Sequence, residues 1–534
     1  MSMSFSHIHK KVRSTNRFFS GVSTLTLSAM VVKVIGLLYK IPLLRCLGTE
    51  GMGYFNTAYE LYALFCVIST AGLPVAMSML ISRSDAQGDE RAVRRIYRTA
   101  LFAFVVMGAV GSLLLFGFAE PLSLYLKNPA AASCLRFISP TVFLICLSSA
   151  QRGFFQGKGN MLPTAVSQVV EALGKLILGL LFAVTAMRNG CTVPMTAAFA
   201  VLGLTVGTGV SALYLTVRKW YGHRNCSNEA NHASDGQGGS TVWRQLMATA
   251  VPVTISAGIM SVTKLIDVAL ILRRLQDVGY GVSEANSMYG CYSTLVIPVF
   301  NILPSLTTSV AMSAVPSLSA ALQRPRKEAS QEIHRIGVSA MRLVLWISVP
   351  AAMGLAVYGG DVLSLLFSGE NAAVAQATPW LRILALSVPS ACLMTVCSAM
   401  LQVAGHARTP IYAMIVGVAA KVLCAYYLLG RPDMGLLGAP VSSLLCDTIV
   451  VIIELYCLGK WLPDVRLRLG EGVRLFLLPV IVSAASLGLV SCALGYLPQG
   501  DAWGTLLKIG GVAVLYGAMM GAVCLLKPLR HRVS

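Results

Sequence analysis

The sequence predicts an all-α integral membrane protein with about fourteen transmembrane helices. Hydrophobic residues make up 56% of the 534 residues and charged residues only 12%. About a quarter of a soluble globular chain is charged. The mean hydropathy of the chain is +0.71, and apolar stretches of about 20 residues, the length that spans a bilayer, recur along the whole sequence. These observations exclude an ordinary soluble domain.

The apolar stretches follow one another with short polar breaks, as in a multi-pass protein. Several contain proline, which membrane helices tolerate because neighbouring helices can satisfy the freed carbonyl groups. The predicted spans are 22–44, 56–80, 98–119, 133–152, 161–187, 193–217, 246–271, 286–312, 336–358, 375–401, 409–430, 434–458, 474–496 and 503–526.

The distribution of Lys and Arg predicts the orientation of the spans. If the N-terminus is cytoplasmic and every span reverses the direction, 27 basic residues lie at cytoplasmic ends and 8 at the opposite ends. Cytoplasmic loops of membrane proteins carry an excess of Lys and Arg. We therefore expect a multi-pass membrane protein with both termini in the cytoplasm.

Charge and cysteine content exclude further classes of function. The net charge of +20 would suggest a nucleic-acid partner in a soluble chain, but here it reflects the cytoplasmic loops, so no nucleic acid is expected. The fourteen cysteines lie mostly in apolar runs, and no C-x-x-C pair occurs. We therefore expect neither a metal site nor a cofactor.

Residues 218–244 differ from the rest, because they are polar, rich in Gly, Ser and Asn, and without a hydrophobic period. This composition is typical of a flexible linker. It predicts an N-terminal lobe of six helices at 1–217, a cytoplasmic linker at 218–244, a C-terminal lobe of six helices at 245–458, and two further helices with a cytoplasmic tail at 459–534.

The two lobes carry traces of an internal repeat. Residues 135–176 and 381–422 both begin with Leu-Arg and end near a lysine, Lys175 or Lys421, at a constant offset. Lys33 and Lys264 form a second corresponding pair. Six helices return the chain to the same side, so the copies are expected to relate by an axis along the membrane normal. That is the parallel-repeat arrangement of secondary transporters, whose substrate site lies near the midplane.

Four lysines lie deep inside predicted spans, where a charge costs about 3 kcal/mol on insertion scales. They are expected to line a central cavity and to bind the substrate: Lys33, Lys175, Lys264 and Lys421.

Two of these lysines have an acid one helical turn away. Glu171 precedes Lys175 by four residues, and Asp267 follows Lys264 by three. Each acid either neutralises its lysine in a structural pair or binds a coupling ion such as H⁺ or Na⁺. No acid stands at helical spacing from Lys33 or from Lys421.

Two acids elsewhere are candidate cross-helix partners. Glu60 lies in the second predicted span and Asp447 in the twelfth, and either could compensate a lysine or bind the coupling ion. The lysines predict an anionic substrate, because an ammonium is a compact point charge that suits phosphate without bidentate geometry.

Three stretches resemble the stage V sporulation protein B family of polysaccharide transporters, within the multidrug/oligosaccharidyl-lipid/polysaccharide flippase superfamily and akin to lipid II flippases. They are "RGFFQGKGNMLPTAVSQVVE" at 152–171, "GLPVAMSMLISR" at 72–83 and "VVKVIGLLYKIPLLRCLGTEGMG" at 31–53. The resemblance covers essentially the whole chain. It implies a protein of the bacterial cytoplasmic membrane with fourteen helices, twelve of them in two six-helix lobes, with alternating access and with a lipid-tail groove at 474–526.

The resemblance implies a flippase for an undecaprenyl-pyrophosphate-linked saccharide, lipid II or a related cell-wall or polysaccharide precursor. Its implied partners are this anionic substrate, membrane lipids and cell-wall synthesis proteins. No enzyme is expected, because Gly174-Lys175 is followed by Leu176 and forms no phosphate-binding loop. The alternatives are a multidrug/cation antiporter of the same superfamily and a non-transporting membrane protein of sporulation or cell-wall assembly.

The predicted topology can be tested by cysteine labelling from each side of the membrane. Single cysteines within 218–244 should react with a membrane-impermeant maleimide only from the cytoplasmic side, and Gly190→Cys, in a predicted outer loop, should react only from the outside. Labelling of 218–244 from the outside would overturn the orientation.

Overall fold

The structure, a computed structural model, describes residues 2–224, 239–465, 469–494 and 502–530. The chain is 91% helical, and no strand occurs among the described residues. The all-α class that the sequence predicts is therefore confirmed.

The described residues form seventeen α-helices, which are numbered in chain order. Their bounds are α1 Ser2–Thr70, α2 Leu73–Ala86, α3 Glu90–Gly117, α4 Ala119–Tyr125, α5 Ala132–Gly157, α6 Leu162–Arg188, α7 Val193–Arg224, α8 Gly239–Val278, α9 Val282–Cys291, α10 Ile297–Leu322, α11 Arg326–Leu366, α12 Asn371–Ala385, α13 Val388–Val403, α14 Thr409–Leu429, α15 Gly438–Trp461, α16 Leu469–Leu494 and α17 Ala502–Arg530.

Many of these helices are long and apolar enough to cross a membrane. Within the described residues there are eleven such stretches, or up to twelve if α12 and α13, bent by 46° at their junction, form one span. The first stretch, Leu27–Ala86, is 60 residues long and covers most of the first two predicted spans. A multi-pass membrane architecture is confirmed, and the number fourteen stays a prediction.

Helix α1 departs from helical geometry at one residue. Gly48 has φ +64° and ψ 179°, a conformation that costs a residue without Cβ little. The sequence predicts a loop from 45 to 55 here, and the structure has a single-residue break instead. Both halves of α1 therefore stay helical up to the bend, which fixes the direction of the side chains on either side.

Helices continue into both ends of the predicted linker. Helix α7 runs to Arg224 and α8 begins at Gly239, so 218–224 and 239–244 are helical. A helix that has crossed the bilayer can continue into water while its residues still form hydrogen bonds along the axis. Residues 225–238, the middle of the predicted linker, lie outside the described residues.

The contacts divide the chain into two compact units. Unit 1 comprises Met1–Leu272 with Val282–Gly290, and unit 2 comprises Arg273–Gly281 with Cys291–Ser534. Most of α8 therefore belongs to unit 1. The lobe boundaries expected from the sequence stay a prediction.

A buried cluster in unit 1 joins α2, α3 and α5 to the first turns of α8. It includes Met77, Phe104, Phe154 and Leu246, which are all less than one tenth exposed. Gly72, just before α2, lies directly against the backbone of Ala250, so any larger residue there would displace α8. The start of α8 is thus fixed to this unit by close packing.

Helices α6 and α7 of unit 1 touch backbone to backbone through glycines. A Cβ on Gly174 would lie 2.6 Å from the Cα of Gly207, and a Cβ on Gly207 would lie 2.8 Å from the backbone nitrogen of Lys175. Gly179 and Gly203 meet in the same way one turn further along. Small residues permit this close approach in membrane helices, and it fixes the turn of α6 that carries Glu171 and Lys175.

The core of unit 2 lies between α10, α11, α13 and α15. Its fully buried members include Leu318, Val344, Val396 and Leu401. Helix α14 packs along α15, with Gly417 against Val450 and Cys446. This contact places Lys421 of α14 beside α15.

A methyl group at the α6–α7 contact should destabilise unit 1. In Gly207→Ala the new Cβ meets only backbone atoms, which cannot turn aside, and overpacking of this kind costs about 1–3 kcal/mol. The thermal unfolding temperature of the purified chain in detergent should fall by several degrees. Gly209→Ala is the matched control on α7, because its nearest neighbour is a Leu144 methyl group at 3.6 Å; equal behaviour of the two variants would contradict the packing argument.

Candidate functional site

Lys175 of α6 lies against three aromatic rings of α1. Its Nζ is 4.4 Å from the ring centroid of Tyr59, 5.3 Å from that of Tyr39 and 5.8 Å from that of Phe55. An ammonium within about 6 Å of a ring face is attracted by the ring quadrupole, by about 0.5–2 kcal/mol according to solvation. The half-buried ammonium is therefore stabilised by the rings as well as by its electrostatic attraction to Glu171.

The rings form a continuous group on both sides of the break in α1. The Tyr39 and Phe55 centroids are 6.1 Å apart, those of Phe55 and Tyr59 6.2 Å, and those of Tyr59 and Tyr62 5.9 Å. Tyr39 precedes Gly48 and the other three follow it. The bend at Gly48 thus lets two segments of one helix surround the same lysine.

Glu171 forms its ion pair with Arg152 of α5. The Arg152 Nη2–Glu171 Oε2 distance is 2.7 Å, and the two side chains are only 12% and 19% exposed. Arg152 also donates from Nε to Ser167 Oγ at 2.9 Å and from Nη2 to Ser211 Oγ at 3.2 Å. Glu171 is thus paired across helices with Arg152, whose planar guanidinium contacts the acid and two hydroxyls at once. Glu171 also attracts Lys175 electrostatically, and its role as a neutralising acid or as a coupling-ion ligand stays a prediction.

Arg152 is a residue that sequence reasoning missed as part of the site. It stands at the end of the fourth predicted span, so its charge counts among the cytoplasmic basic residues there. The signal that could have found it is Ser167, which is one turn from Glu171 on the same face of α6. A polar stripe on an otherwise apolar helix indicates a polar neighbour.

A second group of charges in unit 1 links α1 with α8. Glu60 interacts electrostatically with Lys264, Lys40 and Asp267, and Lys40 interacts with Lys175 as well. The predicted residues Lys175, Lys264, Glu60 and Asp267 thus belong to one electrostatic network. Lys40 joins them, although the sequence assigned it to an outer end.

Lys33 lies two turns before Lys40 on α1, so it occupies the same face of that helix. Its side chain is exposed, as is that of Lys264, whereas Lys40, Glu60 and Asp267 are half-buried. In unit 1 the network therefore runs from the buried rings at Lys175 towards exposed cations.

Lys421 and Asp447 lie in unit 2 on neighbouring helices. Lys421 of α14 is only 9% exposed, and Asp447 of α15 is half-buried. Both side chains take part in interactions with their surroundings. Lys175 and Lys421 occupy corresponding helices, since Pro163 and Pro410 are the second residues of α6 and α14. Whether all four lysines line one cavity stays a prediction.

Sequence reasoning also missed Glu454 of α15. It is fully buried among apolar side chains, and its Oε1 accepts a hydrogen bond of 2.5 Å from Ser398 of α13. Its Oε2 has no hydrogen-bond partner among the described residues. Within those residues no three His, Cys, Asp or Glu side chains are grouped as metal ligands would be.

Comparisons with known proteins agree with this architecture. The family model for "Polysaccharide biosynthesis protein" matches residues 18–322, and the MatE model matches 293–427. "Stage V sporulation protein B" of Bacillus subtilis (strain 168) is 24% identical over 465 residues, which are 87% of this chain and 88% of that protein. "Lipid II flippase MurJ" of the same organism is 24% identical over 428 residues, 77% of each chain.

Solved structures share the fold. A lipid II flippase MurJ in an inward closed conformation superposes with a TM-score of 0.71 at 12% identity, and the match covers 95% of this chain and 99% of that chain. An inward-facing multidrug resistance MATE family transporter of the MOP superfamily gives a TM-score of 0.62 at 14% identity, covering 84% and 99%. These similarities confirm the transporter fold that the sequence motifs implied. Since its model spans more than half of the sequence, the chain belongs to the polysaccharide biosynthesis protein family.

Proposed function

We propose that this chain moves an undecaprenyl-pyrophosphate-linked saccharide, lipid II or a related cell-wall or polysaccharide precursor, across the cytoplasmic membrane by alternating access. The observation that carries the proposal is Lys175 held against Tyr39, Phe55 and Tyr59 inside a multi-pass chain of this family. The similarity to a lipid II flippase and to a sporulation protein supports the same class of substrate.

The chemistry of Lys175 suits an anion that arrives and leaves. Its ring contacts are each worth about 0.5–2 kcal/mol, and hydrogen bonds to charged groups are worth about 1.5–3 kcal/mol. A pyrophosphate can therefore attract the ammonium away from the rings, and the rings receive it again when the substrate departs. Neither state leaves the charge unsolvated.

The pairing of Glu171 supports this role. Glu171 pairs with Arg152, which also donates to Ser167 and Ser211, so the charge of the acid is shared between Arg152 and Lys175. The Lys175 ammonium itself lies against the rings. The half-buried Lys40 and the exposed Lys264 supply further positive charge, with Lys33 on the same face of α1 as Lys40. Lys421 supplies the corresponding cation in unit 2.

The acids have the second role in the proposed cycle. Glu60 and Asp267 compensate Lys40 and Lys264 while no substrate is bound, or they bind the coupling H⁺ or Na⁺. Asp447 is the equivalent candidate in unit 2. When H⁺ or Na⁺ binds to such a carboxylate, the paired lysine is released and can bind the pyrophosphate.

A second candidate function is a multidrug/cation antiporter. The MatE match and the aromatic group Tyr39, Phe55, Tyr59 and Tyr62 favour it, because rings bind organic cations. The lysines disfavour it, because they repel a cationic substrate. Liposomes loaded with either lipid II or ethidium distinguish the two candidates directly.

Loss of the central cations should abolish flipping without loss of insertion. Lys175→Ala and Lys264→Ala should each lower the rate of lipid II translocation in liposomes about tenfold or more, since one hydrogen bond to a charged group is removed. Each should also fail to support growth of a flippase-depleted strain. Arg91→Ala, an exposed basic residue of α3, is the control; normal transport by both lysine variants would refute the proposed site.

The Arg152–Glu171 pair should be coupled in stability. Removal of one partner leaves the other charge unpaired, with less than one fifth of its side chain exposed. For a fully buried pair this loss costs about 3–5 kcal/mol of folding free energy, which is the upper bound here. Glu171→Met or Arg152→Met should therefore lower the unfolding temperature markedly, and the double variant should recover most of the loss. Strictly additive losses in this double-mutant cycle would show that the pair does not act as a unit.

A further inference from the structure

A polar cavity lies within unit 2, apart from the predicted lysines. It has a volume of about 740 Å³ and is bounded by α11, α12, α16 and α17. Pockets of about 300–1,000 Å³ are typical of small-molecule sites. Three charged residues line it, namely Asp361, Arg382 and Lys508.

The end of α11 creates the space. The backbone of Tyr358 leaves helical geometry, with φ −100° and ψ 15°. Its hydroxyl lies 2.7 Å from Ser491 Oγ, which ties α11 to α16. Gly360 packs against Thr378 of α12, and a Cβ on this glycine would lie 3.2 Å from the threonine methyl group, so these helices stay close beyond the bend. The cavity is thus part of the helix packing and does not depend on a loop.

The charges favour an anion. Arg382 lies in the last turn of α12, and Lys508 of α17 is only 6% exposed. Asp361 is the one acid among the lining residues that the structure describes. A guanidinium matches the geometry of phosphate oxygens, and an ammonium adds a point charge. Asp361, Asn371 and the hydroxyls of the wall can accept hydrogen bonds from a polyol. The lining therefore suits a phosphate that carries hydroxyl groups.

The rim of the cavity is apolar and exposed. Val357, which lines the cavity, is 46% exposed, and Leu507, next to Lys508, is 56% exposed. Trp503, about one turn earlier on α17, is 75% exposed, and tryptophan is enriched where membrane meets water. A ligand with a charged end and apolar chains satisfies both surfaces, whereas a free phosphate satisfies only the interior.

We propose that this cavity binds the glycerophosphate headgroup of an anionic phospholipid. Arg382 and Lys508 contact the phosphate, Asp361 accepts from a glycerol hydroxyl, and the acyl chains lie on the exposed apolar side chains of α17. On the topology predicted from the basic residues, the lipid belongs to the outer leaflet. The site adjoins the lipid-tail groove that the resemblance implies at 474–526. Its occupancy is measured by binding, without transport, so failure of this proposal is distinguishable from failure of the proposed function.

Lipid titration of the full chain tests the site. In detergent, phosphatidylglycerol should bind more tightly than phosphatidylcholine when followed by native mass spectrometry, and it should raise the unfolding temperature more. Arg382→Gln should weaken phosphatidylglycerol binding about tenfold. The matched control is Arg431→Gln, an exposed arginine outside the cavity on the same predicted side of the membrane. Because Arg382 is exposed, this variant should fold even if Lys508→Gln does not.

A parallel arm with inorganic phosphate against chloride at equal ionic strength separates the two sources of the phosphate. Inorganic phosphate could stabilise the chain through Arg382 while the two lipids bind equally. That result would overturn the proposal of a phospholipid ligand and would indicate a soluble phosphate ligand. Equal binding of the two lipids together with no effect of phosphate would overturn the site. So would equal losses in Arg382→Gln and Arg431→Gln.

Discussion

The cost of a charge in an apolar medium governs the arrangement of unit 1. An ammonium or carboxylate at membrane depth must have an ionic partner, a ring or water, and the structure uses all three. Glu171 is held by Arg152, which also donates to two hydroxyls, Lys175 lies on aromatic rings, and Lys264 is exposed. Each solution fixes the rotation of a helix about its own axis, because the partner must be on the facing side.

Close helix packing makes these solutions possible. Arg152 reaches Ser211 of α7 and Glu171 of α6 together only because Gly174 and Gly207 allow those two helices to touch. Unit 2 uses the same device at Gly417, which brings α14 against α15 near Lys421. Small residues therefore set the distances on which the electrostatic network depends, although they carry no chemistry themselves.

The hydrophobic pattern predicted the fold class and most helix positions, since bilayer thickness imposes the length of an apolar run. The spacing of charges in the sequence also predicted that Lys175 and Glu171 share one face of one helix, and both lie on α6. It could not find the partner of Glu171, because a pair between helices depends on their mutual rotation, which periodicity does not encode. Lys40 and Arg152 resemble helix ends in the sequence because the helices extend further than their apolar parts. Glu454 was overlooked because its Ser398 partner is 56 residues away.

The break at Gly48 lets rings from both halves of α1 contact Lys175. Tyr39 and Tyr59 stand in one continuous helix, twenty residues apart and on opposite sides of a single backbone joint. The position of Tyr39 relative to Tyr59 therefore depends on the two dihedral angles of Gly48. A change of bend at that joint would move Tyr39 relative to the other rings and so would change the number of rings in contact with the Lys175 ammonium.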